Sequence, residues 1–561
     1  MNKKKWAATM LAGTLLMTPF SVMAASPNAA AESALADVMM DTNRNKMQDN
    51  LELKIKEMNA DEKVPVIIQF NESFAGGKAY DVLSEKLGFF KKSFDYKVFN
   101  GMAATMTVKQ IERLNALPFI KQVEYDAPVK MNLATANASF GTEKVRADYG
   151  LTGDMDGNER GYTKNDAVVA VIDTGIDAAH VDLDGGKVIG WKDLVNNRTT
   201  AYDDQGHGTH CASIVAGDGD ANPAHKGVAP GAALVGVKVL DAQGSGSMST
   251  VAAGIDWAVQ NKDVYGIEVL SLSLGTSGSS DGKDATSVAV NNASAAGLAV
   301  AVAAGNDGPT SKTIGSPGAA EKAITVGAGA DLGENGFNLT YFSSRGPTAD
   351  GRVKPDIFAP GFNITAAKAN SGNQYVSYSG TSMATPFTAG TIALMEDAKP
   401  GITEPEIKNV LYTTAVDFGP SGKDSEYGYG RLDGYAAITT AANLNGAGPA
   451  VPNHFYKGAS LSSGASHTYT LNVNSTSFPI SLTLITPDWS PGFLIFGPSH
   501  SYKVSLIDPT GATVASSSQN ERQDHTAFKP TKTGAYKVVV SSSKGSGTYY
   551  LDVSAGAASL N

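Results

Sequence analysis

Five apolar runs that show no polar alternation limit most strongly how this chain can fold. They are AVVAVIDTG, GAALVGVKVLD, GIEVLSLSLG, GLAVAVAAGN and KAITVGAGA, all between residues 167 and 330. Each is rich in β-branched or small apolar residues and closes on Gly or a polar side chain. A half-exposed strand alternates apolar with polar, whereas a continuously apolar strand is covered on both faces, as in a parallel sheet. Helix-length segments such as MSTVAAGIDWAVQNK and ATSVAVNNASAAG separate the runs. The expected architecture is therefore α/β, an open parallel sheet with flanking helices and with ligands at the carboxyl ends of its strands.

The 561 residues exceed one such unit, and the texture changes on both sides of it. Residues 26–132 alternate strand-like VPVIIQF with helical ESFAGGKAYDVLSEKLG and repeat the change in ATMTVKQIERLNAL, which predicts a small α+β unit ending at VEYD. The α/β region itself is expected over 137–445. After GAGPAVPNH, residues 452–556 hold HTYTLNV, FPISLTLIT, SYKVSLID, AYKVVVSSS and GTYYLDVS. These alternate between turn signals as the strands of an antiparallel β-sandwich do.

The first segment, residues 1–25, has a basic start, an apolar middle and a small-residue exit. That is the pattern of a removed secretory signal, with cleavage expected after Ala24 or Ala25. Its apolar stretch is short for a bilayer span, and no later stretch reaches that length without charges or Gly-Pro breaks. The expected product is secreted, with no membrane association after signal removal. A net charge of −10 argues against a nucleic-acid partner. The single cysteine, Cys211, excludes an intramolecular disulfide, so the chain must be held by its core and by any bound ions.

Three polar clusters interrupt the apolar runs. Asp173 closes AVVAVIDTG at a strand's carboxyl end, His207 begins a helix in DDQGHGTHCASIVAG, and Ser382 begins another in YSGTSMATP. An Asp–His–Ser set is the minimum for nucleophilic acyl transfer: the hydroxyl attacks, the imidazole takes its proton, and the carboxylate holds the imidazole in the right tautomer. Taken singly, each residue also fits a turn or a helix cap.

The sequences around them resemble the subtilisin-like serine proteases over about 300 residues of the central region. The matching stretches are VIDTGID, HGTHCA, SLSLG at Ser271–Gly275, AAGN ending at Asn306, FSSRGP at Phe342–Pro347 and GTSMATP. Their order, Asp then His then Ser, is the subtilisin order. The resemblance implies Ser382 as nucleophile, His207 as general base and then acid, and Asp173 as its orienter. It implies that the Asn306 side chain and the Ser382 backbone N–H form the oxyanion hole. One such donor is worth about 10²–10³ in turnover, a figure that comes from subtilisin itself. Peptide substrate would lie extended between the backbone edges Gly244, Ser245, Gly246 and Ser273, Leu274, Gly275. The pocket before the cut would be lined by Ser273–Gly275 and by Ala303, Ala304 and Gly305, with Gly315 at its floor. That floor carries no charge, so large apolar side chains are expected there. GTSMA lacks the second Gly of the G-x-S-x-G elbow, which makes a lipase or esterase the poorer reading of the same serine. A catalytically dead binding module is disfavoured because all four chemical positions are filled.

The same resemblance implies a monomeric secreted endopeptidase acting on protein or peptide substrates. It would be made with its own propeptide, residues 26–132, as folding template and inhibitor. Self-cleavage after Met131, Leu133 or a neighbour would suit an apolar pocket. Structural Ca²⁺ is expected in the family. GDMDGNE, DLDGGK and GDGDANP offer oxygen-rich loops, with Asp154, Asp156, Asp218 and Asp220 as candidates. Asp, Asn and Gly are also turn formers, so the loops alone leave both readings open. A zinc site from His180, His207 and His210 is poor, since no Cys pair supports it. Cys211 lies one helical turn after His207 and is expected near it, as inert apolar filler or as a reactive thiol. The last domain resembles the β-sandwich modules of secreted bacterial proteases, for which substrate binding, protection and stability remain open roles.

Overall fold

The computed structural model describes residues 45–47, 49–56, 58–71, 78–96, 100–125, 133–158, 160–445, 451–490, 499–518 and 521–561. The signal segment, the linker at 446–450 and the bond after Met131 lie outside the described residues. Those described fall into two compact units, one up to Tyr125 and one from Leu133 onward.

In the first unit, α1 (Asp49–Lys56) precedes β1 (Lys63–Phe70), followed by α2 (Ala79–Leu87), β2 (Lys91–Tyr96), β3 (Gly101–Thr107), α3 (Val108–Leu114) and β4 (Ile120–Tyr125). The strands form an antiparallel sheet in the order β2-β3-β1-β4. Val64, Val66, Ile68 and Phe70 point to one face, where Leu51, Leu83, Ile111 and Leu114 of the helices cover them. A capping box starts α3: Gln110 N–H donates to Thr107 Oγ1, and the Gln110 side chain accepts from Thr107 N–H. Such a cap contributes about 1 kcal/mol and ends β3 cleanly.

In the second unit the five apolar runs become strands. They are β5 (Val168–Asp173), β7 (Ala233–Lys238), β8 (Ile267–Leu272), β9 (Ala299–Ala303) and β10 (Ile324–Ala330), with β6 (Val188–Asp193), β11 (Asn338–Leu339) and β12 (Ile357–Pro360) completing the sheet. The order is β11-β10-β9-β8-β5-β7-β6, with β12 also on β10, and every pairing is parallel except β10–β11. All residues of β5, β7, β9 and β10 are buried. The reason is visible in β5: Val168, Ala170 and Ile172 enter one core while Val169 and Val171 enter the other. Helices α5 (Met248–Gln260) and α6 (Ala285–Ala295) cover the Val168, Ala170 and Ile172 face, and α4 (His207–Ala216) and α7 (Thr381–Ala398) cover the Val169 and Val171 face. From β5 the chain builds outward both ways, β7 and β6 on one side and β8 to β10 on the other. The crevice beyond the carboxyl ends of β5 and β8 is thus the topological switch point, where ligands of open α/β sheets bind. A hairpin of β13 (Ile364–Ala367) and β14 (Tyr375–Tyr378) leads into α7.

The remaining strands are β15 (Asn453–Leu461), β16 (Ser466–Val473), β17 (Ile480–Ile485), β18 (Ser501–Ile507), β19 (Thr513–Ser517), β20 (Gln523–Phe528), β21 (Gly534–Lys544), β22 (Gly547–Ala555) and β23 (Ala557–Leu560). They form two antiparallel sheets, β15-β22-β17-β20 and β19-β18-β21-β16-β23, around Leu471, Leu482, Val504, Val538 and Leu551. The sandwich is fastened to the α/β region rather than strung behind it. Ile485 belongs to the same buried cluster as Phe358 and Tyr427. Leu339 N–H donates to Gln523 Oε1 at 3.3 Å while Gln523 Nε2 donates back to Leu339 O at 3.1 Å. A side-chain amide thus pairs the open edge of β11 as a neighbouring strand would, which closes an edge otherwise available to other chains.

Candidate active site

Asp173 and His207, 34 residues apart, meet at the switch point: His207 Nδ1 lies 2.8 Å from Asp173 Oδ1. Asp173 is fully buried. A carboxylate taken out of water costs several kcal/mol unless it is paired and hydrogen-bonded. Its Oδ1 also accepts the Thr174 N–H at 2.7 Å. Beneath this turn lies a buried lysine: Lys238 Nζ donates to Thr174 O at 2.5 Å, to Leu240 O at 2.9 Å and to Asp204 Oδ1 at 2.6 Å. In the sequence Lys238 stands in the run VGVKVLD with a second charge, Asp241, close by, and nothing there singles it out.

The start of α4 is held as tightly. Asp203 Oδ2 accepts from Thr209 N–H and Oγ1, and its Oδ1 from Gln205 and Gly206 N–H. Gly208 N–H donates to Thr174 Oγ1 at 2.8 Å. A Cβ on Gly208 would stand 2.2 Å from Gly175 O and 3.1 Å from the Asp173 side chain, so HGTH needs its glycine to bring the two segments together. Neither Asp203 nor Thr174 emerged from the sequence as a site residue. Their signal is only that they flank the motifs.

Burial works to lower the His207 pKa, but the Asp173 carboxylate opposes it, and the net result is a raised value. His210 behaves oppositely. Its desolvation, with His207 close by, brings it down to about 3, and its Nε2 faces Val376 O and Ile364 O at 3.0 and 3.2 Å. It is a neutral tie between α4 and the β13–β14 hairpin. Cys211 is buried, and burial raises its pKa. Its Sγ lies 3.9 Å from His207 Nδ1 and 3.4 Å from Ser382 O, so it packs against both partners. His180 stands apart, with Nε2 on Gln374 O.

Ser382 occupies the first turn of α7, where backbone N–H groups have no intrahelical acceptor. Pro386, four residues on, has no N–H to donate to Ser382 O. That carbonyl is therefore free to accept from Ser273 Oγ at 2.8 Å and from Cys211 Sγ. The SMATP sequence fixes the helix start to β8's end by this vacancy in the ladder. The Ser382 hydroxyl donates to Ser273 O at 3.3 Å, with no hydrogen bond to His207 in this conformation. Hydrogen bonds of this kind are commonly long before substrate binds.

Asn306, at the end of AAGN, accepts the Thr381 N–H at 2.9 Å and the Thr381 Oγ1 at 3.1 Å through its Oδ1. Its amide nitrogen is thereby turned the other way. A Cβ built on Gly380 would sit 3.5 Å from Asn306 Nδ2 and 3.6 Å from Ser382 N. Gly380 thus leaves open the space that both donors border. An oxyanion placed there would receive two preorganised hydrogen bonds at the positive end of an 18-residue helix.

A cleft of about 450 Å³ runs from His207 between Gly244–Gly246 and Ser273–Gly275. Leu240, Met248, Val251 and Pro317 also line it, and among the described residues it has no Asp, Glu, Lys or Arg. Ala303 and Ala304 are buried at the end of β9, and Gly315 packs on Thr276, so these three back the wall instead of lining the open cleft. Of the acidic candidates, Asp154 and Asp156 converge with Asp166, their carboxylate oxygens within 4.8 Å of one another. Burial raises the Asp166 pKa, with Asp156 and Asp154 adding to it, and among the described residues none of the three pairs with Lys or Arg. Asp218 and Asp220 face cations instead: Arg160 grips Asp220 at 3.0 and 3.1 Å, and Lys187 lies 3.9 Å from Asp218.

Comparison with known proteins gives consistent matches. The model of the subtilase family matches residues 164–430, and that of the Tk-SP N-propeptide domain matches residues 42–110. Serine protease AprX of Bacillus subtilis (strain 168) is 41% identical, over 62% of this chain and 82% of its own. Subtilisin amylosacchariticus of Bacillus subtilis subsp. amylosacchariticus is 34% identical, over 66% and 88%. Subtilisin DY of Bacillus licheniformis is 37% identical, over 50% and 93%.

The space in front of Gly380 yields a test. Gly380→Ala puts a methyl between the two donors at ordinary contact distance, so the fold should tolerate it. Turnover of a peptide p-nitroanilide is expected to fall by about 10²-fold, as when one donor is lost, with the thermal midpoint nearly unmoved. Unchanged turnover would show that no oxyanion forms there.

Proposed function

The chain belongs to the subtilase family and is a serine endopeptidase with an N-propeptide domain, and on that footing we propose that Ser382 is its nucleophile, His207 its base and Asp173 the orienter of that base. The observation that carries this reading is the buried Asp173–His207 hydrogen bond, with Cys211 packed against both His207 and Ser382 O, and with Ser273 of the cleft wall donating to Ser382 O. Ser382 Oγ attacks the scissile carbonyl and passes its proton to His207 Nε2. Asn306 Nδ2 and Ser382 N–H hold the oxyanion, and His207 then protonates the leaving amine. Water deacylates the enzyme by the same route in reverse.

Substrate is an extended polypeptide laid between Gly244–Gly246 and Ser273–Gly275. A lining without Asp, Glu, Lys or Arg, with Leu240, Met248, Val251, Leu274 and Pro317 in it, favours bulky apolar side chains before the cut. Residues 26–132 act as an inhibitor that the enzyme removes itself, after export directed by residues 1–25. Among the described residues no helix is long and apolar enough to cross a membrane. Asp154, Asp156 and Asp166 would hold a structural Ca²⁺, since three convergent carboxylates without a cationic partner are the donor set of a hard divalent ion. Such an ion would neutralise their repulsion and pin the loop ahead of β5.

Three outcomes test these assignments. A base with a raised pKa is protonated, and so idle, until the pH climbs through that pKa. The kcat/KM profile should therefore rise through an apparent pKa above 6.5. Asp173→Asn removes the carboxylate that raises it, so the limb should move to lower pH while kcat falls by about 10⁴-fold. A limb left in place would contradict the pairing. In Ser382→Ala, N-terminal sequencing of the product should find the propeptide still attached, and cleavage near 131–133 would assign processing to another protease. Chelation with EDTA should lower the thermal midpoint of the unmodified protein and leave Asp166→Asn almost unmoved; equal shifts in both would place the ion elsewhere.

A further inference from the structure

A second groove, of about 930 Å³, opens between the α/β region and the β-sandwich. Pro309, Tyr341 and Phe362 line it from the α/β side, and Trp489, Arg522 and His525 from the sandwich. Its near end is tied to the residues just ahead of Ser382. Gly380 N–H donates to Gly361 O at 2.8 Å, and Asn363 N–H donates to Ser379 Oγ at 2.8 Å, with Phe362 between the two anchors. The Asn306 segment runs the same way: Gly308 N–H donates to Phe342 O at 2.9 Å, and Pro309 is already in the groove wall. The cleft of Gly244–Gly246 and Ser273–Gly275 includes His207, whereas the groove is tied to the residues just ahead of Ser382 and just after Asn306, and among the described residues the two share none in their linings.

Its chemistry suits a polypeptide. Tyr341 is 72% exposed and Phe362 36%, so the α/β wall presents aromatic surface to solvent. Trp489 Nε1 and His525 Nδ1 are shielded from solvent and find no partner among the described residues. These two nitrogens are turned away from the open groove, so Trp489 and His525 offer it ring surface. Arg345 and Arg522 both bind Glu426, so the groove's own cations are already compensated and give little reason to favour acidic side chains. Aromatic faces and paired charges select bulky apolar residues instead.

We propose that this groove holds the part of a polypeptide substrate beyond the cleaved bond, on the leaving-group side, and that the β-sandwich thereby takes part in choosing substrates. The proposal rests on the reading of Ser382 as nucleophile. Cleavage still occurs at Ser382, and the groove adds binding that only long substrates reach. A chain extended from the nucleophile gains about 3.3 Å per residue, so about six residues span some 20 Å.

The test uses the processed enzyme with its sandwich in place. Internally quenched peptides share one acyl portion and carry from one to about six residues after the cut, the last ones aromatic. A p-nitroanilide of the same acyl portion has no residue there. For the unmodified enzyme, kcat/KM is expected to rise about tenfold along the series, equivalent to about 1.4 kcal/mol. In Tyr341→Ala and Trp489→Ala, the ratio of longest to shortest should shrink to about twofold or less, as expected when an aromatic contact is lost. Tyr341 is so exposed that its removal leaves folding aside. A rate independent of length, or a ratio unaltered in both variants, would overturn the groove alone. If the unmodified enzyme does not hydrolyse the p-nitroanilide, the nucleophile reading falls and the groove with it.

Discussion

The hydrogen bond between His207 Nδ1 and Asp173 Oδ1 is the constraint around which the neighbouring structure is organised. A carboxylate buried at the end of a parallel strand is unfavourable unless its surroundings compensate it. Here the compensation comes from Thr174 N–H and from the imidazole, while Lys238 clamps the turn from below. Thr174 Oγ1 and the missing side chain of Gly208 let α4 approach β5 closely enough for the bond to form. The same bond sets the electrostatics, since Asp173 is what lifts the His207 pKa against the pull of burial.

The start of α7 is arranged by a second, complementary device. Pro386 withdraws one hydrogen bond from the helix, and the carbonyl released is taken by Ser273 and Cys211. The Ser382 backbone is thereby bound to the end of β8 on one side and to α4 on the other. Thr381 orients Asn306, and Gly380 keeps the space before both donors clear. Segments distant in sequence converge because β5, β8 and β9 run parallel and end on one side of the sheet, where α4 and α7 begin. Cys211 belongs to this packing as a buried thiol with a raised pKa, which matches the expectation of an inert filler better than that of a reactive group.

Much of this was legible in the sequence. Continuous apolarity in AVVAVIDTG and its companions marked strands buried on both faces, and every residue of β5, β7, β9 and β10 is buried. The alternation in HTYTLNV and SYKVSLID marked a sandwich, and both stretches are antiparallel strands. What could not be read was interaction between elements whose pairing leaves no periodic trace. Nothing in Gln523 announces that its amide completes the edge of β11, nor in Ile485 that it enters the core of another region. Asp203, Thr174 and Lys238 are ordinary turn and strand residues until the fold supplies their partners. Charge alone misled less than it left undecided: Asp154 and Asp218 look alike in sequence, yet one faces two carboxylates and the other faces Lys187.

Every proposed step of the reaction depends on Ser382 being an activated nucleophile. The most direct measurement is peptide mass spectrometry of the processed protein after treatment with a serine-directed fluorophosphonate. A single covalent adduct on Ser382, abolished in His207→Ala, is the predicted result. Correctly processed protein that forms no adduct, or forms it equally without His207, would contradict the assignment of the nucleophile and of the base that serves it.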